Sequence, residues 1–190
     1  MESSAASSSY LMLVNKENPL GLAYEPKSLV KPKIKFLRDT SEESRHMEET
    51  AAKALEELFK TAKSENITLI GSSAYRSYKS QVRVLNEEIS SKGVDYANKY
   101  VAKPGKSEHQ SGLAIDVTNE ARCFDKTSPE AQWLANNAHR FGFILRYPEG
   151  KEHITGYNYE PWHIRYVGKE AAKEIYDRNI TLEEYLDTMI

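Results

Sequence analysis

A chain of 190 residues fits one ordinary domain and buries enough surface on folding to hold a core without disulfides or a structural metal, so any metal is expected to serve chemistry. With 39% hydrophobic and 28% charged residues the composition is that of a globular protein, and no apolar run approaches the roughly 20 residues of a membrane span. A formal charge of -2 and a pI near 6.2 give no electrostatic reason to expect nucleic acid, and a single cysteine, Cys123, excludes an internal disulfide and a cysteine-rich zinc site.

Residues 1–9, mostly serine and alanine, have neither a basic n-region nor an apolar h-region; they read as a disordered tail or linker, with residues 10–190 as the one domain. Tyr10-Leu11-Met12-Leu13-Val14 is a short strand candidate closed by the Asn18-Pro19-Leu20-Gly21 turn signal. From His46 to about Ser64, Met47, Ala51, Ala54, Leu55, Leu58 and Phe59 recur at three- and four-residue steps and predict an amphipathic helix. Ile67-Thr68-Leu69-Ile70 reads as a buried strand, and the turn from Gly71 to Ser77 leads to a second helix containing Gln81, Val82, Leu85 and Ile89. Leu113-Ala114-Ile115-Asp116-Val117 has the composition of a central strand. A helix is expected from Pro129 to Phe141, capped by Ser128 and ended by Gly142. Strands are expected at Phe143 to Tyr147 and Trp162 to Val167, with a helical segment from Lys169 onward. Helices and strands in this irregular order predict an α+β domain rather than a doubly wound sheet.

Chemistry concentrates in two segments. In Ser107-Glu108-His109-Gln110-Ser111-Gly112-Leu113-Ala114-Ile115-Asp116 a loop histidine stands seven positions before an aspartate in an apolar strand. A carboxylate there needs a hydrogen-bond network, a cation or a metal to offset its desolvation; backbone donors at a strand end are the bland alternative. Glu160-Pro161-Trp162-His163 adds a second imidazole and a second carboxylate. Two histidines and one carboxylate leave an open coordination position on zinc, the arrangement of catalytic rather than structural sites, although other divalent ions also suit such a set. Strand alternation would put Glu160 on the face opposite His163, so Glu160 is expected just before the strand, within reach of water at the metal. His46, His139 and His153 read as surface residues. Tyr147, Tyr157 and Tyr159 precede the second motif, either packing on the sheet or closing over a peptide.

The pattern Ser-x-His-x-x-Gly-x-Ala-x-Asp followed by Glu-x-Trp-His resembles the VanY-type D-alanyl-D-alanine carboxypeptidases and their LdcB-like L,D-carboxypeptidase relatives. The likeness extends to Asn18-Pro19-Leu20, to Ser73-Ala74-Tyr75-Arg76-Ser77 with Gln81 beyond, and to Arg165-Tyr166-Val167-Gly168. It implies a Hedgehog/D,D-peptidase-like fold, a central mainly antiparallel sheet carrying the zinc site and flanked by helices. It further implies one catalytic zinc ion held by His109, Asp116 and His163, Glu160 as base, and Arg76 as partner of a substrate carboxylate. Ser73, Gln81, Ser107 and Trp162 are further substrate-contact candidates, with turn, helix surface, loop cap and core filler as their bland readings.

The implied activity is removal of the terminal D-alanine from peptidoglycan stem peptides, by either L,D- or D,D-cleavage. A zinc-containing wall-peptide-binding module without activity is the alternative, and retention of Glu160 argues against it. The expected partners are stem peptides alone, with no nucleic acid, and the chain is expected to be a monomer outside the cell or in its envelope. A phosphate-handling enzyme is set aside for want of a glycine-rich loop.

Overall fold

In the computed structural model, which describes residues 9–189, two short strands come first, β1 (Leu29–Val30) and β2 (Met47–Glu48), paired antiparallel. Residues 1–8 of the expected tail lie outside the described residues. Helix α1 (Glu49–Ser64) carries the predicted apolar stripe, with Ala51, Ala52, Leu55, Leu58 and Ala62 buried. It begins later than expected because the Glu48 carboxylate accepts the N–H groups of Thr50 and Ala51, which makes Glu48 the cap. Strand β3 (Ile70–Ser73) leads through a turn to α2 (Tyr78–Lys92), capped by the Ser77 hydroxyl, and then to α3 (Val94–Tyr100). Strand β4 (Ala114–Thr118), helix α4 (Pro129–Asn137), strand β5 (Phe143–Leu145), the single turn α5 (Glu152–Thr155) and strand β6 (His163–Tyr166) follow, and α6 (Lys169–Arg178) and α7 (Leu182–Asp187) come last.

β3, β4, β6 and β5 form one sheet in that order, every neighbouring pair antiparallel. The expected α+β class with a mainly antiparallel sheet flanked by helices is what the chain adopts. Alternation along the strands separates two faces. Ile115, Val117, Ile164 and Tyr166 join Leu55, Leu58, Trp133 and Leu134 in the main core under α1 and α4. Asp116, His163 and Arg165 therefore fall on the other face. A second apolar cluster, from Ile144 and Val167 to Ala172, Ile175 and Leu182, fixes α6 and α7 to the sheet.

Three expectations fail locally. Residues 12–14 form no strand, because the carbonyls of Tyr10 and Met12 accept hydrogen bonds from the Arg165 guanidinium rather than from a neighbouring strand. The third strand begins at Ile70, not Ile67. Ser128 does precede α4, but its hydroxyl donates to the Asp125 carbonyl and makes no side-chain cap. The last turn before Gly142 tightens into a 3-10 helix over Ala138–Phe141, and Gly142 at φ +86 ends it as expected.

Candidate metal centre

The sheet register brings the two motifs together. Asp116 on β4 pairs directly with His163 on β6, and Ser73 on β3 pairs with Asp116 from the other side. Directly opposed residues have side chains about 5 Å apart on one face. His109 arrives from a 3-10 turn, Glu108–Ser111, which ends at Gly112 with φ +73; a Cβ there would crowd Pro26, Leu29 and the Glu48 N–H. Two backbone contacts fix the histidine to the turn after β3. Its Nδ1 donates to the Ala74 carbonyl at 2.7 Å, and its carbonyl accepts the Arg76 N–H.

The result is three donors facing one point. His109 Nε2 lies 3.3 Å from Asp116 Oδ2, His163 Nδ1 lies 2.9 Å from Asp116 Oδ1, and all three ligand atoms fall within 4.8 Å of one another. Two ligands each about 2.1 Å from a tetrahedral ion would stand roughly 3.4 Å apart, so the spacing suits zinc with one position left open. Each imidazole has its other nitrogen bonded, His109 to the Ala74 carbonyl and His163 Nε2 to Glu108 Oε2 at 3.2 Å, so the inward nitrogen of each is the one available to a metal.

Electrostatics at this point suit a cation. Burial penalises the Asp116 carboxylate, but His109 and His163 outweigh that and hold it well below the usual carboxylate range. Burial likewise disfavours a charged His163, yet its bonds to Asp116 and Glu108 raise it to about 10, and a metal at Nδ1 would stand where a proton otherwise binds. His109 is pushed down by burial, with Asp116 pulling the other way.

Glu160 sits in the loop before β6, its N–H bonded to the Tyr147 carbonyl and its carboxylate 3.9 Å from His163 Nδ1, beside the donor set and not in it. Burial pushes its carboxyl up to about 8, His163 opposing and Asp116 and Glu108 adding to the rise. Arg76 donates to Gln81 Oε1 at 2.9 Å and to Ser73 Oγ at 2.8 Å, and no carboxylate lies within 4 Å of it among the described residues. Burial lowers its pKa. Gln81 is itself buried, donating to the Ala102 carbonyl, so the helix-surface reading of it is corrected. The Ser107 hydroxyl accepts the His109 N–H, and Trp162 packs on the core while lining the cleft.

The cleft has a volume of about 220 Å³ and holds all three donors, Glu160 and Arg76. Tyr147 and Tyr157 are buried in its wall, with the Tyr147 ring 4.9 Å from that of His163. Away from the cleft, His46 bonds the Glu42 carbonyl and His153 is exposed, whereas His139 is partly covered by stacking on Tyr176.

Sequence reading missed the support behind His163. Glu108 is fully buried, its Oε1 accepting from Arg146 Nε at 2.7 Å and from Arg165 Nη1 at 2.6 Å. Arg146 then pairs through both terminal nitrogens with Glu183 of α7, and both arginines have 0% exposure. Burial would raise the Glu108 carboxyl, but Arg146 and Arg165 hold it far below its ordinary range. One cue was available: Arg165 stands two residues after His163 in an apolar strand, hence on the same face.

A VanY family profile, described as D-alanyl-D-alanine carboxypeptidase, matches residues 44–169. The chain is 44% identical over 182 residues to YodJ of Bacillus subtilis (strain 168), covering 93% of this chain and 67% of that protein, so it spans about two thirds of this relative. Among solved structures it superposes on the LdcB LD-carboxypeptidase with a TM-score of 0.84 at 44% identity, covering 92% of this chain and 84% of that one. A variant of the vancomycin-resistance D,D-pentapeptidase VanY, solved with Zn(II), gives a TM-score of 0.79 at 36% identity over 94% of this chain and 99% of that one.

Proposed function

Because the chain belongs to the VanY family of D-alanyl-D-alanine carboxypeptidases, we propose that it is a zinc-dependent carboxypeptidase that removes the terminal D-alanine from peptidoglycan stem peptides. The observation that carries this reading is the convergence of His109, Asp116 and His163 beside Glu160, in one cleft with Arg76. His109 Nε2, an Asp116 oxygen and His163 Nδ1 would hold the ion. A zinc ion bound there would supply Lewis acidity to the scissile carbonyl and would lower the pKa of the attacking water to about 7.

This chain's residues perform the remaining tasks. Glu160 is the base: it takes the proton of the attacking water and passes it to the leaving amine. Its raised pKa belongs to the metal-free chain, and a dication among its neighbours favours the ionised form that a base requires. Arg76, held by Ser73 and Gln81 and free of any carboxylate within 4 Å among the described residues, pairs with the substrate's terminal carboxylate and so sets which bond lies over the donor set. Ser107 and Trp162 line the cleft and complete the peptide contacts.

Residues 10–190 act as one catalytic unit, with the serine-rich stretch before it as a tail or linker. Peptidoglycan lies outside the cytoplasmic membrane, which assigns the enzyme to the envelope or the extracellular space; among the described residues no helix is long and apolar enough to cross a membrane. The related structures include both an LD-carboxypeptidase and a D,D-pentapeptidase, so the scissile bond is decided by assay. Purified protein with zinc is incubated with tetrapeptide and pentapeptide stems and followed by mass spectrometry beside Glu160→Ala. Loss of one D-alanine, abolished in the variant, is the expected result; intact stems with zinc bound would point instead to a binding module.

A further inference from the structure

Burying two arginines completely is costly unless their charges are met, and apolar residues of similar volume fill a core as well or better. The cluster of Glu108, Arg146, Arg165 and Glu183 is therefore hard to explain as packing alone. Its geometry is directional. Both guanidinium groups converge on Glu108 Oε1, at 2.7 and 2.6 Å, which leaves Oε2 turned to His163 Nε2 at 3.2 Å. Arg146 is fixed in turn by Glu183, and Arg165 by the carbonyls of Tyr10, Met12 and Tyr166. The Glu108 side chain has 0% exposure, so no water competes for that oxygen. The other histidine is held differently, by the neutral Ala74 carbonyl.

We propose that Glu108 is a positioning residue: pinned by Arg146 and Arg165, it accepts the Nε2–H of His163, fixes the tautomer and ring angle that turn Nδ1 toward Asp116, and strengthens that nitrogen as a metal donor. The inference rests on the metal reading of the site. A carboxylate partner makes an imidazole a better donor than a carbonyl partner does, and loss of such a partner typically weakens metal binding ten- to a hundred-fold. The two histidines are thus unequal, His163 being the stronger anchor and His109 the weaker.

Zinc affinity tests this by competition with a chromophoric chelator, together with the visible absorption spectrum of the cobalt-substituted protein, on the full chain. Glu108→Asp keeps the charge that faces the two arginines and withdraws the oxygen from His163; Glu108→Gln keeps the shape and loses the charge. Leu134→Ala, a cavity variant in the core on the far face of the sheet, is the control for simple destabilisation. Expected are a ten- to hundred-fold loss of zinc affinity and a shifted cobalt spectrum in the Glu108 variants, with neither change in Leu134→Ala despite its lower Tm. If Glu108→Gln does not fold, Glu108→Asp decides. Folded Glu108→Asp with the parent's affinity and spectrum overturns the proposal while leaving the metal site standing. A parent chain that takes up no zinc overturns the metal reading itself, and this inference with it.

Discussion

In the proposed reaction, Arg76 is the residue on which exopeptidase character turns. Its guanidinium is oriented by two neutral acceptors, Gln81 and Ser73, an arrangement that fixes direction without spending the charge. A hydrogen bond to a charged group contributes about 1.5–3 kcal/mol, so Arg76→Ala is expected to lower kcat/KM roughly ten- to a hundred-fold. Stem peptides with an amidated C-terminus supply the check. They should cost the parent enzyme a similar factor and Arg76→Ala almost nothing; equal losses in both proteins would show that Arg76 does not meet the carboxylate. Arg76→Lys should recover only part of the loss, since an ammonium cannot pair bidentately.

At the scale of the element, α7 offers a test separate from the chemistry. Thr181 and Glu184 form a reciprocal capping box, the hydroxyl accepting the Glu184 N–H and the carboxylate accepting the Thr181 N–H. That backbone bond lowers the Glu184 pKa, with partial burial opposing it and Lys151 helping. A lowered folded-state pKa means stability that is present above the unfolded value of about 4.3 and is lost as pH falls below it. Glu184→Ala should therefore cost about 0.5–1 kcal/mol at pH 7 and markedly less at pH 3, measured by urea unfolding. Elements whose causes are local were legible in the sequence: the stripe of α1, the apolar run of β4 around Asp116, and Gly142 ending the turn after α4. The two motifs could be read because each is short, and the sheet register then sets Asp116 opposite His163. What could not be read depends on residues far apart in sequence. Residues 10–14 have a strand's composition, but the carbonyls of Tyr10 and Met12 answer to Arg165, and the Glu108 cluster joins positions 108, 146, 165 and 183, of which Arg165 alone gave a local cue.

For the molecule as a whole, the core and the donor set lie on opposite faces of one sheet, so the fold does not hang on the ion. Removing zinc by chelation should leave the far-UV circular dichroism unchanged and lower the Tm by roughly 5–10 °C, the shift expected if zinc at about a hundred times its Kd stabilises a domain of this size by about 2.7 kcal/mol. Collapse of the helical signal on chelation would show that the metal is structural after all. The wiring of Glu108 bears also on when the enzyme becomes competent. Arg165 reaches back to Tyr10 and Met12, and Arg146 reaches forward to Glu183 in the last helix. A chain folded only as far as β6 already carries both histidines and Asp116, but it lacks the brace from Glu183, so the site is complete only once α7 has docked.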